Sequence, residues 1–187
     1  MRITGGVFRG RTIPSPTGEG TRPTTDSMRE RLFSVLTHHS AIEGARVLDL
    51  FAGTGALGYE ALSRGATHVV FVDSNSTVCK TLRATAITFG VSDAVTILRA
   101  DSFSALTVAL PESPFNLVFS DAPYANLVAN RLLTALGASE HLQASAVVCI
   151  EHGTQEMLLP SEHFNPLWHA EHGASVTDIL RRQPAEP

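Results

Sequence analysis

The most chemically informative stretch of this 187-residue chain is Asp49-Leu50-Phe51-Ala52-Gly53-Thr54-Gly55-Ala56-Leu57-Gly58. An apolar run enters a glycine turn that opens into a helical segment. Without Cβ atoms at Gly53 and Gly55, a ligand can approach the backbone closely, with helix N–H groups aimed at it. Gly53-x-Gly55-x-x-Gly58 satisfies the dinucleotide pattern literally. Asp73, 18 residues after Gly55, ends the next apolar run, where an acid accepts two hydrogen bonds from a ribose diol. A pyrophosphate, however, wants a helix N-terminus free of negative charge. Asp49 stands at that threshold, and its carboxylate suits a cation such as the ammonium group of S-adenosylmethionine. Asp101, in Arg99-Ala100-Asp101-Ser102, follows a third apolar run and can accept from an adenine amino group. A single aspartate at a strand end is as often a turn or cap residue. Three of them at the carboxyl ends of successive strands, where open α/β sheets bind ligands, favour S-adenosylmethionine. Phe51, Ser74 and Ser102 adjoin these positions and complete the expected cofactor contacts.

A fourth apolar run, 115–119, leads into Ser120-Asp121-Ala122-Pro123-Tyr124. An exocyclic amine on a nucleobase is a poor nucleophile because its lone pair is delocalised into the ring. Two acceptors gripping its hydrogens, the Asp121 carboxylate and the Ala122 carbonyl, favour pyramidalisation and aim the lone pair at a methyl group. Pro123 stiffens the turn, and Tyr124 offers a flat face on which an extruded base can stack, worth about 1–3 kcal/mol. Taken alone, the segment reads first as an Asp-x-Pro turn with a half-buried tyrosine; the glycine loop upstream turns the reading towards catalysis.

These residues need a scaffold, and the periodicity supplies one. From about residue 26, near-continuous apolar runs (46–50, 68–72, 95–98, 115–119 and 146–150) alternate with helical segments. Such runs fit strands covered on both faces. Gly65, Gly90 and Gly137 each follow a helical segment, as helix stops do. The alternation predicts an α/β fold with a doubly wound, mostly parallel sheet. Residues 1–13 read as a Gly-broken strand or hairpin and 14–23 as a Pro/Gly/Thr-rich loop. A helix is expected over 27–37, opened by a Ser27-x-x-Glu30 capping box and striped by Met28, Leu32, Val35 and Leu36. Two strands at 167–169 and 175–180, joined through Gly173, close one sheet edge as an antiparallel pair, and 182–187 reads as a frayed tail. The expected division is a basic extension over 1–37, the ligand-binding domain over 38–182 and a tail over 183–187.

Composition narrows the classes further. At 43% apolar and 17% charged residues the chain is globular, which excludes disordered and collagen-like architectures. No window approaches the roughly 18 consecutive apolar residues of a membrane span, and the first residues lack the apolar core of a signal peptide. Cys79 and Cys149 sit in apolar surroundings as small core residues, so a reducing cytoplasm is the expected compartment. The net charge is −4, yet Arg2, Arg9, Arg11, Arg22, Arg29 and Arg31 place six of fourteen basic residues in the first 31. They read either as a solvated face or as a patch for nucleic-acid phosphates. His169-x-x-His172 would put its rings on opposite faces of a strand, so no metal site is expected.

The chain resembles the RsmD-type family, bacterial small-subunit (16S) rRNA guanine-N2 methyltransferases. The resemblance spans about residues 2–180 and rests on Arg2-Ile3-Thr4-Gly5-Gly6 with Arg9-Gly10-Arg11, and on Arg22-Pro23-Thr24-Thr25-Asp26 leading into Arg29-Glu30-x-Leu32-Phe33. It continues through the glycine loop, Glu60-Ala61-Leu62-Ser63-Arg64-Gly65 and Asp121-Ala122-Pro123-Tyr124. It implies a seven-stranded sheet with a reversed last strand, S-adenosylmethionine as donor and methylation of a guanine N2 amine in 16S rRNA. By carry-over, Asp49, Gly53 and Gly55 line the methionine moiety, Asp73 the ribose and Asp101 the adenine. Asp121 and Tyr124 handle the base, while Arg22 and Thr24 lie near cofactor or RNA. The family's motif usually has two prolines, and Ala122 replaces the first. The arginines Arg2, Arg9, Arg11, Arg22 and Arg29 are expected to hold RNA phosphates. The expected substrate is a 30S particle or assembly intermediate, and the expected state a monomer. A methyltransferase of another RNA or of DNA adenine, a nicotinamide-dependent oxidoreductase and a non-catalytic RNA-binding protein remain as other readings.

Overall fold

The computed structural model describes residues 1–14, 26–122 and 128–184. After a short N-terminal hairpin come α1 (Asp26–His38), β1 (Arg46–Leu50), α2 (Ala56–Ser63), β2 (His68–Asp73), α3 (Ser76–Phe89), β3 (Val95–Arg99), α4 (Ser102–Ala105), β4 (Phe115–Asp121) and α5 (Ala129–Gly137). The strands β5 (Leu142–Gly153), β6 (Phe164–His172) and β7 (Ser175–Arg182) complete the chain. All seven strands form one sheet in the order β3-β2-β1-β4-β5-β7-β6. The first five are parallel, and β7 runs antiparallel to both β5 and β6. The doubly wound expectation and the antiparallel closure of one edge are both met. The strand order reverses between β1 and β4, which opens a crevice at their carboxyl ends.

Burial explains why the central strands carry so few polar residues. Val47, Phe71, Leu117, Phe119 and Cys149 pack on one face with α1, α2 and α3. Leu48, Leu50, Val72, Val118 and Ile150 pack on the other with α4 and α5. Sandwiched strands need apolar side chains both ways. β3, at the sheet edge, is only half-buried.

Several local expectations change. The helix α1 starts at Asp26, so Ser27 lies in its first turn rather than at the cap. Its buried face is Arg29, Leu32, Phe33 and Leu36, with Met28 and Val35 half-buried. Gly65 and Gly90 take positive φ as helix stops, but Gly137 does not. It ends α5 without a Cβ because the His163 ring lies against it. Both C-terminal strands are longer than expected. Arg182 belongs to β7, and its guanidinium donates to the carbonyls of Leu142, Ser139 and Gly137 at 2.6, 3.1 and 3.3 Å. Gln183 N–H donates to the His163 carbonyl at 2.8 Å, so the frayed tail does not begin at 182.

The N-terminal extension packs into the sheet's own core. The hairpin pairs Ile3 N–H with the Arg11 carbonyl (3.0 Å) and Ile13 N–H with the Met1 carbonyl (2.9 Å). Ile3 and Ile13 join the cluster that holds Val47 and Phe119. The hairpin is tied down by Glu60, which is fully buried on α2. The Glu60 carboxylate accepts from Thr4 N–H (2.7 Å), Thr4 Oγ1 (2.8 Å), Gly5 N–H (2.8 Å) and Arg64 Nε (2.8 Å). Removing a buried acceptor leaves its donors unsatisfied, at about 1–3 kcal/mol. Glu60→Ala should therefore lower stability by about 2–3 kcal/mol in urea unfolding and speed amide exchange at Thr4 and Gly5. Unchanged exchange there would show that the hairpin is held by its isoleucines alone.

Candidate active site

The parallel ladders bring the expected acids to one rim. Asp49 pairs in register with Phe71 of β2 and Phe119 of β4, so the strand ends beyond them stand side by side. Because side chains alternate along a strand, Asp49, Asp73 and Asp121 all continue the face of Val47, Phe71 and Phe119. The carboxyl ends of β1 and β4 thus stand side by side on the same rim, which is the placement that the methyl-transfer reading requires of them.

The glycine loop is shaped by backbone that only some residues adopt. Phe51, Gly53 and Gly55 have φ of 56°, 51° and 73°. A non-glycine residue in that region stores strain, which clusters at functional sites. Phe51 is held there by its N–H on Ser102 Oγ at 3.2 Å and by its ring edge-on to Phe103 at 6.2 Å. The glycines divide the work. A Cβ on Gly55 would strike Leu82 and Tyr59, so Gly55 serves packing within the fold. One on Gly53 would meet only the Phe51 carbonyl at 3.8 Å, which leaves Gly53 as the open wall of the site.

Asp49 is buried, and its carboxylate accepts the Gly58 N–H at 3.1 Å, in the first turn of α2. Desolvation raises its pKa well above the ordinary carboxylate value. The Gly58 bond works the other way and loses, while Asp121 and Asp73 add to the rise. Asp49 thereby occupies one of the helix-start donors that a pyrophosphate would use. Asp73 accepts from Gly53 N–H (3.0 Å) and Asn75 N–H (2.8 Å), one on each oxygen, with lone pairs left for a diol. Ser74 is exposed beside it. Asp101 caps α4, its Oδ1 accepting from Ser104 N–H (2.9 Å) and Oγ (3.0 Å), which holds its pKa low. Ser102 is buried, and its hydroxyl accepts from the Phe51 N–H.

At the end of β4, Asp121 keeps an open side, yet the surrounding protein thins its hydration. That, and Glu151 directly across the ladder, push its pKa up to about 7. Ala122 behind it is buried. Pro123, Tyr124, Arg22 and Thr24 lie outside the described residues.

Similarity to known proteins agrees with this arrangement. The family described as conserved hypothetical protein 95 matches residues 1–180. Ribosomal RNA small subunit methyltransferase D of Escherichia coli is 36% identical over 151 residues, 81% of this chain and 74% of the relative. The protein of the same name from Haemophilus influenzae is 32% identical over 168 residues, 89% and 86% of the two chains. The chain belongs to the RsmD family. The solved structure of yhhF from Escherichia coli has the same fold, with a TM-score of 0.86, 28% identity and 98% of both chains covered.

The basic segments of this RsmD-family chain separate into two groups. Arg2, Arg9 and Arg11 are exposed on the hairpin, and Arg11 stacks over Phe8 and Phe89 at 5.2 and 5.5 Å. Arg9 and Arg64 line a cleft of about 430 Å³ with Thr4, Gly5 and Gly6, away from the glycine loop. Arg29 is a correction. It is 1% exposed and donates to the Arg2 carbonyl (2.5 Å) and Asp26 (2.7 Å), so it fastens the hairpin to α1 and is not available to phosphate. His169 and His152 both bond Asp178 at 2.8 Å, which accounts for these two rings structurally. Among the described residues no group of three or more metal-ligating side chains occurs. The residue that sequence reasoning missed is Glu151. Its signal was an acid closing the 146–150 run, the same placement that drew attention to Asp49 and Asp73.

A raised folded-state pKa on a carboxyl means that folding favours its protonated form. The penalty appears as pH climbs above the ordinary value of about 4. Asp49→Asn keeps an oxygen for Gly58 and removes that penalty. The variant should be more stable than the native chain at pH 7–8 in urea unfolding, with the difference shrinking towards about pH 4. An equal or lower midpoint at pH 8 would show that Asp49 ionises without strain.

Proposed function

We propose that this protein transfers a methyl group from S-adenosylmethionine to the exocyclic N2 amine of a guanine in small-subunit (16S) rRNA, acting on a 30S particle or its precursor. The observation that carries this reading is the convergence of Asp49, Gly53, Asp73 and Asp121 at one rim, on one face of the sheet. The fit to the donor is chemical. Among the described residues the buried Asp49 carboxylate has no cationic partner, and an arriving ammonium group supplies one. Gly53 leaves open space where the donor must pass, and Asp73 offers its remaining lone pairs to a ribose. Asp101 at the neighbouring strand end takes the adenine amine.

When bound, S-adenosylmethionine supplies an electrophilic methyl carbon whose bond to sulfur breaks, with its electron pair going to sulfur, as the amine lone pair forms the new N–C bond. The chain's own part is positioning and charge placement. Ionised Asp121 and the Ala122 carbonyl each accept one hydrogen of the target amine, which turns its lone pair out of the ring. The nitrogen becomes acidic only after methylation, so its proton leaves late, to Asp121 or to water. Pro123 stiffens the turn and Tyr124 stacks on the base, roles that rest on the sequence motif. Arg2, Arg9 and Arg11, fixed by the Glu60 clamp, hold RNA phosphates, with Arg22 assigned to the same task from the motif.

Mass mapping of 16S rRNA from cells lacking this protein should show one guanine without its N2 methyl group; a complete set of methyl groups would remove the assignment. Asp121→Ala should fold and bind S-adenosylhomocysteine normally but react about 10²-fold or more slowly in single turnover. With its pKa near 7, Asp121 accepts only when ionised, so the native rate should climb from about pH 6 to about pH 8. A variant as fast as the native chain, or a flat profile, would take Asp121 out of the mechanism. Neutralising Arg2, Arg9 and Arg11 together should reduce the log–log salt slope of RNA binding by roughly 2–3, whereas Arg29→Gln should leave that slope unchanged. An unaltered slope in the triple variant would place the RNA contacts elsewhere.

A further inference from the structure

Strand β5 runs parallel to β4 and ends at Gly153, just beyond the level of Asp121, so the loop 154–160 leaves the sheet at the same rim. On that loop Met157 and Leu159 are 79% and 62% exposed, while Leu158 between them packs on the cluster that holds Val118 and Ile150. Scattered exposed apolar side chains are ordinary on a protein surface. These two are held out by a clamp. Glu156 is buried, and its carboxylate accepts from Asn130 N–H (3.0 Å) and Asn130 Nδ2 (3.2 Å) in the first turn of α5. Asn130 in turn donates from Nδ2 to the Met157 carbonyl (3.0 Å) and accepts the Leu159 N–H on Oδ1 (2.8 Å). Glu156 N–H closes the turn on the Gly153 carbonyl at 3.0 Å, and Thr154 N–H ties it to the Ala174 carbonyl at 3.2 Å. The backbone on both sides of the tip is therefore fixed, and it is fixed to the helix that follows β4 in the chain. Between 153 and 161 the only charged residue is Glu156, which the clamp buries, so the tip meets a phosphate backbone without repulsion.

A base that reacts through its exocyclic amine must leave its stack to reach Asp121, and the gap behind it recloses unless something fills it. Apolar side chains inserted between base steps act as wedges that keep a stack open. We propose that Met157, flanked by Leu159, is an RNA wedge: its side chain enters the stack that the target base has left and so holds that base out at the rim beside Asp121. The proposal goes beyond the choice of base and atom, and it rests on the reading that a base amine is methylated. Scale favours RNA over a protein of the particle. A specific protein interface buries on the order of 1,200 Å² or more, which two side chains on a narrow tip do not supply, whereas one unbranched side chain matches one base step. The flexible, polarisable thioether of methionine also adapts well to aromatic faces.

The test uses the full-length protein and 30S particles reconstituted with unmethylated 16S rRNA. Because the side chain is exposed, Met157→Ala should leave the urea midpoint and the affinity for S-adenosylhomocysteine unchanged. Its single-turnover methylation rate at saturating particle should fall by about 10-fold or more, with the half-saturating particle concentration little altered, and Met157→Leu should restore most of that rate. In particles carrying 2-aminopurine beside the target base, fluorescence should rise when the native protein binds with S-adenosylhomocysteine, because the reporter loses its stacking neighbour. The rise should be smaller with Met157→Ala. A native rate in Met157→Ala, or an equal fluorescence rise, would overturn the proposal. Weaker particle binding with an unchanged saturated rate would also overturn it and would seat the side chain on a protein of the particle. A lowered urea midpoint would make Met157 a structural residue, again against the proposal. Failure of the native protein to methylate the particle at all would instead sink the underlying methyl-transfer reading, which keeps the two failures apart.

Discussion

A carboxylate held out of water at the end of β1, bonded to the Gly58 N–H and with no cation beside it among the described residues, sets the terms for the rest of this site. Burying an ionised group without a partner is expensive, so such groups shift towards their neutral form. Asp49 does so, and the first turn of α2 only partly offsets the shift. A fold selected for stability alone would place an apolar residue between Phe71 and Phe119. On the proposed function, the acid is one half of an interaction whose other half arrives with the donor's ammonium group. The left-handed backbone at Phe51 has the same character. The loop is kept in an unfavourable conformation by Ser102 and Phe103 so that Gly53 faces open space. On the same reading, strain and desolvation are concentrated where binding can release them.

Much of this was legible in the sequence because it broke patterns. The glycine turn interrupts an apolar run, and the aspartates end runs that would otherwise be uniform, so the parallel strands and the positions of Asp49, Asp73 and Asp121 could be read directly. What was not legible depended on partners distant in sequence. Arg29 looks like one arginine in a basic segment, yet with Leu32, Phe33 and Leu36 it completes a helical stripe and is buried. Glu60 sits within a short helix and reveals its role only when the hairpin's Thr4 and Gly5 amides meet it. Glu151 needed the register of the β4–β5 ladder. That pairing jumps from Phe115–Leu142 to Leu117–Val147 through an irregularity, so counting from the strand starts would have put another residue opposite Asp121. Gly137 misled for a similar reason, since its missing Cβ answers to His163 and not to a left-handed turn.

The charges themselves are arranged by task. Asp49, Asp73, Asp121 and Glu151 form a row along the carboxyl ends of four adjacent strands, on one face. Asp121 and Asp73 raise the Asp49 pKa, and Glu151 raises that of Asp121. Such a row attracts a cation and hydrogen-bond donors and repels phosphate. On the proposed function, phosphate-binding groups belong off this acidic row. The hairpin is where that reading puts them. Its exposed arginines are carried on a separate piece of backbone, docked by Glu60 and by isoleucines in the core. Were those arginines set beside Asp121 instead, they would pair with its carboxylate and counter the rise in its pKa. On the proposed function, exposed arginines on the hairpin let a chain of net charge −4 meet an RNA while Asp121 stays open to an amine.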